Sequence, residues 1–525
     1  MPLPTQTMPW PPRELMQVTP IVESWAAWWT GQPDALRRIY LPMQQQQRSQ
    51  IDRPAQFQGG VKGRFARFWW GRPIGDLTQV HDQTHVPIAA DIARTSADLL
   101  FSDPPTITTP HKATQKRLDD LIGDYLHATL SGAAEVGSAL GGVYLRATFD
   151  KDVSDHAFLA VVNADQAWPK FSWDRLREVT FWHVLEDTGA VVTRHLEHHE
   201  LIDGYGVIQH GLYIGTPTDL GRRVDLASHP VTAQLATEVD DLGYIRDGRT
   251  LGMNVVYIPN THPSVSKAFL HLPQADGWGS SDFDGVEGLL DNLDEAYSSW
   301  MRDIRLGKGR VIVARSMLDD RGPGLGAAFN ADREIYSPLN IAPGENGDAP
   351  LTVVQFKIRY AEHQATVNEW TARILRSAGY ALATFGEDST SRARTATEVN
   401  DRKSRSLSTR DRKIRSWRPA LQEIMEKLLR IDAQVFGGPA VKVEGVEVEF
   451  TDGSAPTGLE LAQTAQALQV AQAASTHTLV ALNHPDWEDS QVNEEVARIL
   501  QEKGAPVADP FAIGQPTPPA PPAGA

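Results

Sequence analysis

There is no cysteine among the 525 residues, which excludes disulfides, thiolate metal sites and a cysteine nucleophile. No apolar run approaches the roughly 18 residues of a membrane span. The opening MPLPTQTMPWPP has neither the basic nor the apolar region of a signal peptide. These absences lead us to expect a protein made and kept in the cytosol, with no membrane partner. Positive charge is in short supply too, with 50 Lys and Arg against 66 Asp and Glu and a net charge of -16. That far field repels phosphate and argues against a protein that coats nucleic acid by bulk attraction. It suits equally an acidic enzyme or a protein past which nucleic acid must slide.

The signatures of an enzyme are missing as well. Gly322, Gly324 and Gly326 imitate a phosphate loop, but no Lys-Ser or Lys-Thr pair follows and no strand leads directly into a helix there. The Gly307-Lys308-Gly309 run lacks the upstream glycine of a Walker loop, and Asp319-Asp320 falls in a predicted loop rather than in a two-metal carboxylate cluster. His195, His198, His199 and Glu200 are good metal ligands by type. A strand, however, puts His195 and His199 on one face and His198 on the other, with no third partner nearby in sequence. We expect no catalytic residue, no metal and no cofactor.

What the chain does have is a long stretch from Ser391 to Phe436. Thr395 and Glu398 have capping-box spacing. Ile414, Trp417, Leu421, Ile424, Met425, Leu428 and Leu429 recur at three- and four-residue steps, one buried helical face. Gly437-Gly438-Pro439 stops the pattern. The spacing predicts one helix roughly 60 Å long, kinked at Pro419. Its first half is basic, carrying Arg402, Lys403, Arg405, Arg410, Arg412, Lys413, Arg415 and Arg418. Two readings stand: a solvated face paired with acidic neighbours, or contact with a polyanion.

Elsewhere the pattern is mixed. A Trp- and Pro-rich arm with a stripe of Ile21, Val22, Trp25, Trp28 and Trp29 should dock on something. Helices are predicted in HVPIAADIARTSADLLFSDPP, around Leu118 to Leu130, and up to Gly141-Gly142, followed by the strand VYLRATF. AFLAVVNA, EVTFWHVLE, GAVVTRHLEHHELI, YGVIQHGLYIG and MNVVYIP are short, β-branched and aromatic, and predict an antiparallel meander over about 151–260. Asp284 and Glu287 have capping-box spacing ahead of an acidic amphipathic helix, and Tyr360, His363, Val367, Trp370, Ile374 and Leu375 mark a second helix returning from a compact insert. AVKVEGVEVEF alternates as a strand, two helices end the pattern, and GQPTPPAPPAGA is too polar and proline-rich to bury a core. No repeat of solenoid length is present.

In this order, HVPIAADIARTSADLLFSDPP, SALGGVYLRATF, VEGLLDNLDEAYSSWMRDI and SRARTATEVNDRKSRSLSTRDRKIRSWRPALQEIM resemble the portal, or head-to-tail connector, proteins of tailed bacteriophages. The likeness is greatest to those of long-tailed phages that infect actinobacteria, and covers roughly residues 15–505. It implies an α+β portal fold with wing, stem, clip and crown around a long spine helix. The plan is arm and wing over 1–281, stem helices at 282–306 and 358–380, a clip at 307–357, and a tunnel loop at 381–394. The wing's spine helix and strand follow at 395–456, then a crown at 457–504 and a disordered tail at 505–525. The family implies a ring of about twelve copies at one capsid vertex, assembled in the host cytoplasm and kept in the virion, through which double-stranded DNA is packaged and ejected.

On the same resemblance, Glu387, Asp388, Ser389, Ser391, Arg392 and Arg394 line the narrowest part of the channel, and Glu287, Asp291, Asp294 and Glu295 form an acidic stem face. Arg402, Lys403, Arg405, Arg410 and Trp417 belong to the spine and the subunit interface. The implied partners are further copies of the chain, DNA held transiently and without regard to sequence, the terminase large subunit, head-completion or adaptor proteins, and major capsid and scaffolding proteins. A DNA-processing nuclease or ATPase, and a coiled-coil scaffold, are the alternatives. The first lacks its motifs, and the second lacks sustained apolar a and d positions through Asn400 to Asp411.

Overall fold

The computed structural model describes residues 3–40, 83–306, 310–313, 319–320, 327–328, 351–354, 358–386, 396–437, 443–451 and 458–504, without residues 6, 124, 246–249, 262–268, 270–276, 444, 485–486 and 488. The chain divides into two compact units, Met1–Ser391 with Arg402–Thr451, and Arg392–Asp401 with Asp452–Ala525.

In the larger unit, helices α1 (Thr19–Thr30), α2 (Ile88–Phe101), α3 (Lys112–Ile122) and α4 (Tyr125–Leu140) precede two antiparallel sheets. After a three-residue antiparallel pairing of β1 (Thr106–Thr108) with Glu447–Glu449, the first sheet has the order β3-β2-β9, built from β2 (Gly142–Thr148), β3 (Phe158–Asn163) and β9 (Val255–Pro259). The second runs in chain order through β4 (Ala167–Ser172), β5 (Arg175–Asp187), β6 (Val192–Ile202), β7 (Tyr205–Thr216) and β8 (Asp219–Val224). Thus the five β segments predicted as one meander are split. AFLAVVNA and MNVVYIP flank VYLRATF in the first sheet, and the other three form the core of the meander. Short-range alternation marks strands but carries no information on which distant strand each one joins.

The three-stranded sheet is buried on both faces. Tyr144 faces one core, with Trp25, Trp28, Ile92, Leu290 and Ile374. Its neighbours Val143 and Leu145 face a second core, with Leu130, Trp417, Leu421, Ile424 and Leu428. Successive side chains on a strand point to opposite faces, so a strand between two cores reads as a continuous apolar run, as VYLRATF does. The Trp-rich arm docks on its own chain: Trp25 and Trp28 are fully buried, and Trp10 packs edge-on against Trp182 of β5 at 5.2 Å.

Helices α5 (Glu287–Leu306) and α6 (Tyr360–Ser377) pack against each other. The first begins at Glu287, three residues beyond the predicted cap at Asp284, because Phe283, Asp284 and Gly285 make a turn in which Gly285 adopts φ of 79°. Helix α7 runs from Ala396 to Val435, 40 residues that at 1.5 Å each span about 60 Å. It continues unbroken through Pro419. After it, the predicted eleven-residue strand is limited to Glu447–Glu449 among the described residues.

The smaller unit contains α8 (Gly458–Val470), α9 (Thr476–Asn483) and α10 (Asp489–Gly504), with Ala465, Val480 and Val492 buried. Helix α9 was not evident from periodicity. Ser475 caps it, accepting a hydrogen bond from the Thr478 N–H.

Candidate functional site

Helix α5 has apolar residues that reach the core in its first half and emerge in its second. Val286, Leu290 and Leu293 are buried, Tyr297 and Trp300 half-buried, and Met301 and Ile304 exposed. Where the α5 and α6 ends meet, Trp300 stacks on His363 with an interplanar angle of 3°. Asp303 accepts hydrogen bonds from Arg359 at 3.0 Å and pairs with His363 at 2.9 Å.

The four carboxylates expected to form one acidic face have different environments. Asp294 is turned inward, its side chain 1% exposed, accepting from the Tyr40 hydroxyl at 2.5 Å and the Val86 N–H at 2.8 Å, with His85 Nδ1 at 2.9 Å. Glu287 accepts from the Trp25 indole N–H at 3.1 Å. Asp291 is half-buried, and burial, with Asp294 and Glu295 nearby, pushes its carboxyl up. Only Glu295 of the four is exposed. Residues 25, 40 and 85–86, distant in sequence, use one side of the acidic helix as a set of acceptors, which helical spacing alone does not reveal.

A second arrangement ties these elements together. Asp282 lies just ahead of α5 and is buried. It accepts hydrogen bonds from Ser138 of α4 at 2.6 Å, Asn260 at 2.9 Å, Tyr380 just after α6 at 2.7 Å, and Lys413 of α7 at 2.5 Å. Lys413 also donates to Ser96 of α2 at 2.5 Å. Burial acts to raise the Asp282 carboxyl, but the Lys413 charge and these hydrogen bonds hold it below the usual carboxylate range. One ion pair therefore joins the entry to α5, the exit from α6 and the long helix.

The basic half of α7 also divides. Arg410 is buried and donates to the carbonyls of Leu99, at 2.7 Å, and Thr451. Trp417 is buried, with its ring 5.0 Å from that of Phe101. These two residues, expected at a subunit interface, are occupied within their own chain. Arg405, Arg412, Arg415 and Arg418 are exposed. Arg402 and Lys403 lie on the helix. Glu387, Asp388, Ser389, Ser391, Arg392 and Arg394, the expected channel loop, lie outside the described residues, as do most of the expected clip and all of the tail.

Residues 257–506 match the family model described as Phage portal protein, SPP1 Gp6-like. Over this segment, just under half of the chain, the sequence is similar to phage portal proteins. Its matched segment runs from β9 through α5, α6 and α7 to the end of the helical unit. No curated protein matches the chain. Among solved structures, the chain is similar to one described as the virion of a native gene transfer agent particle, with 13% identity, a TM-score of 0.38 and coverage of 76% of this chain and 89% of that one. It is also similar to a chain in the neck of the native particle, at 14% identity, TM-score 0.37 and the same coverage. A third similar chain, from the neck of the empty particle, has 13% identity, TM-score 0.40 and coverage of 76% and 90%.

The histidine-rich strand β6 separates into two clusters. On one face of the sheet, His195 and His210 stack with Nε2 and Nδ1 3.1 Å apart, while His199 and Arg146 both pair with the buried Glu197. On the other, His198 meets Glu200 and Glu178, the latter supplied by β5. The missing partner, Glu178, stands directly opposite Glu200 in the strand register, 20 or so residues away and invisible until β5 and β6 are paired.

Proposed function

We propose that this chain is a portal protein that assembles as a closed ring of about twelve copies at one capsid vertex, and that double-stranded DNA is packaged and ejected through the ring. The observation that carries the reading is the family match, because it runs across both helices of the stem, the spine helix and the terminal helical unit. The stem pair leaves Met301, Ile304, Ile358 and Tyr360 between 37% and 56% exposed, apolar surface suited to a neighbouring copy. The exposed Arg405, Arg412, Arg415 and Arg418, in a chain of net charge -16, suit pairing with acidic surface on the next copy, together with Arg402 and Lys403.

Within the ring, Glu295 and the other exposed carboxylates of the stem would keep phosphate at a distance, and Arg392 and Arg394 would grip it transiently. Glu387, Asp388, Ser389 and Ser391 would complete the channel loop. We assign 307–357 to the clip that meets the terminase large subunit and then the head-completion proteins, and the outer wing to contact with capsid and scaffolding proteins. We also assign the chain to the kind found in long-tailed phages of actinobacteria, on the residues quoted for that likeness, and its location to the virion after assembly in the host cytoplasm. Its role is structural, and a nucleotide-hydrolysis assay on the isolated chain is expected to give only background.

Electron microscopy of the purified protein tests the assembly. A ring of about twelve subunits with a central hole is expected, and a monomer at high concentration would overturn the reading. Arg392→Ala with Arg394→Ala is expected to change packaged DNA length or retention while leaving ring formation intact. Unchanged packaging and retention would remove the grip from these arginines.

A further inference from the structure

We propose that Glu178, His198 and Glu200 form a binding site for a divalent transition-metal ion of the zinc class. Candidate ligand atoms of all three side chains lie within 4.8 Å of one another. The placement follows from strand geometry. His198 and Glu200 are two residues apart on β6 and so share a face, and the antiparallel register sets Thr180 opposite His198 and Glu178 opposite Glu200. His198 Nε2 is 3.9 Å from Oε2 of Glu178 and 3.9 Å from Oε2 of Glu200. A tetrahedral ion with bonds of about 2.1 Å holds its ligand atoms about 3.4 Å apart, so each imidazole–carboxylate pair need close by only about half an ångström, and the two carboxylates by at most about 1.4 Å.

The decisive atom is Nε2 of His198. The side chain is 4% exposed, points between the two carboxylates, and has no hydrogen-bond partner at Nε2. A buried polar atom without a partner calls for an explanation, and a cation shared with two carboxylates supplies one. Each candidate ligand is also oriented by a further group, as ligands of metal sites commonly are. Thr180 Oγ1 lies 2.8 Å from His198 Nδ1, Lys170 holds the other oxygen of Glu178 at 2.6 Å, and the Tyr244 hydroxyl bonds Glu200. An imidazole with two carboxylates selects zinc-class ions over calcium or magnesium, which prefer oxygen ligands alone. Lys170 opposes the ion electrostatically and sets a ceiling on affinity.

The test uses the full chain stripped with EDTA and titrated with Co²⁺, followed by visible absorption and equilibrium dialysis, with Zn²⁺ as competitor. One equivalent of Co²⁺ per chain, displaced by Zn²⁺, is expected. His198→Asn and Glu200→Gln should each weaken binding by about 10-fold or more, and Lys170→Met should strengthen it several-fold. His195→Asn, on the opposite face, should leave it unchanged. Absence of saturable Co²⁺ binding, or binding indifferent to Glu200→Gln, would overturn the site. Glu200→Gln keeps that outcome decisive even if His198→Asn fails to fold. The readout is independent of ring formation.

Discussion

The ammonium of Lys413 lies 2.5 Å from the carboxylate of Asp282, and their side chains are 4% and 3% exposed. Partnership at this depth makes each residue conditional on the other, since removal of one leaves an uncompensated buried charge. Asp282→Asn and Lys413→Met should each cost about 3–5 kcal/mol in urea unfolding. The double variant should be less destabilised than the sum of the two. Additive losses in that double-mutant cycle would show that the pair is not coupled.

The buried histidines set an acid limit. Burial pushes His195 down to about 4 and His198 and His210 down to about 3, from an ordinary 6.5. Between those values the unfolded chain binds these protons and the folded chain does not, so stability rises with pH there and falls on acidification. Each proton is worth about 1.4 kcal/mol per pH unit. Asp284, raised to about 6 by burial and then by Glu287, works in the opposite sense, gaining stability as pH falls from 6 towards 3.8. His183 is lowered too, and burial also raises Asp165, Asp291 and Glu423; the large shifts of the three imidazoles outweigh these and predict a net loss. The urea midpoint, measured in EDTA, should fall from pH 7 to pH 5, and more gently in His210→Gln. A flat profile would mean that these imidazoles are solvated.

Trp417 anchors the long helix in the second core, against Phe101. Trp417→Ala should cost about 3–5 kcal/mol, whereas Arg415→Ala, on the exposed side of the same turn, should change stability by less than about 0.5 kcal/mol. Equal losses by chemical denaturation would contradict the placement of this helix.

Asp294 and Glu295 are adjacent but make opposite predictions. Asp294→Ala leaves the buried Tyr40 hydroxyl and the part-buried Val86 N–H without their acceptor and should cost on the order of 2–4 kcal/mol. Glu295→Ala should be near neutral in stability while altering any salt-dependent contact with DNA. Thermal unfolding of the two variants and ejection measured at varied ionic strength separate these roles.

Local patterns reported local structure well. The spacing of Ile414 to Leu429 marked the buried face of α7, and Gly437 marked its end, because a helix presents its faces at fixed sequence intervals. The acidic stretch from Glu287 marked a helix by the same rule. Neither pattern could say that Asp294 faces Tyr40 and His85, or that Arg410 spends its donors on Leu99 and Thr451, since those partners lie 254 and 209 residues away in the first case and 311 and 41 in the second.

The sequence by itself therefore determined the element types, the acidic balance, the absence of thiol chemistry and the likeness to portal proteins. Tertiary structure decided which charges are interior. It turned Asp282 and Lys413 into a single buried pair, withdrew Asp294, Arg410 and Trp417 from the surface, and brought Glu178 to His198 and Glu200. The physical reason is that helical and strand periodicity assign a residue to a face, whereas burial and pairing depend on what the folded chain lays against that face.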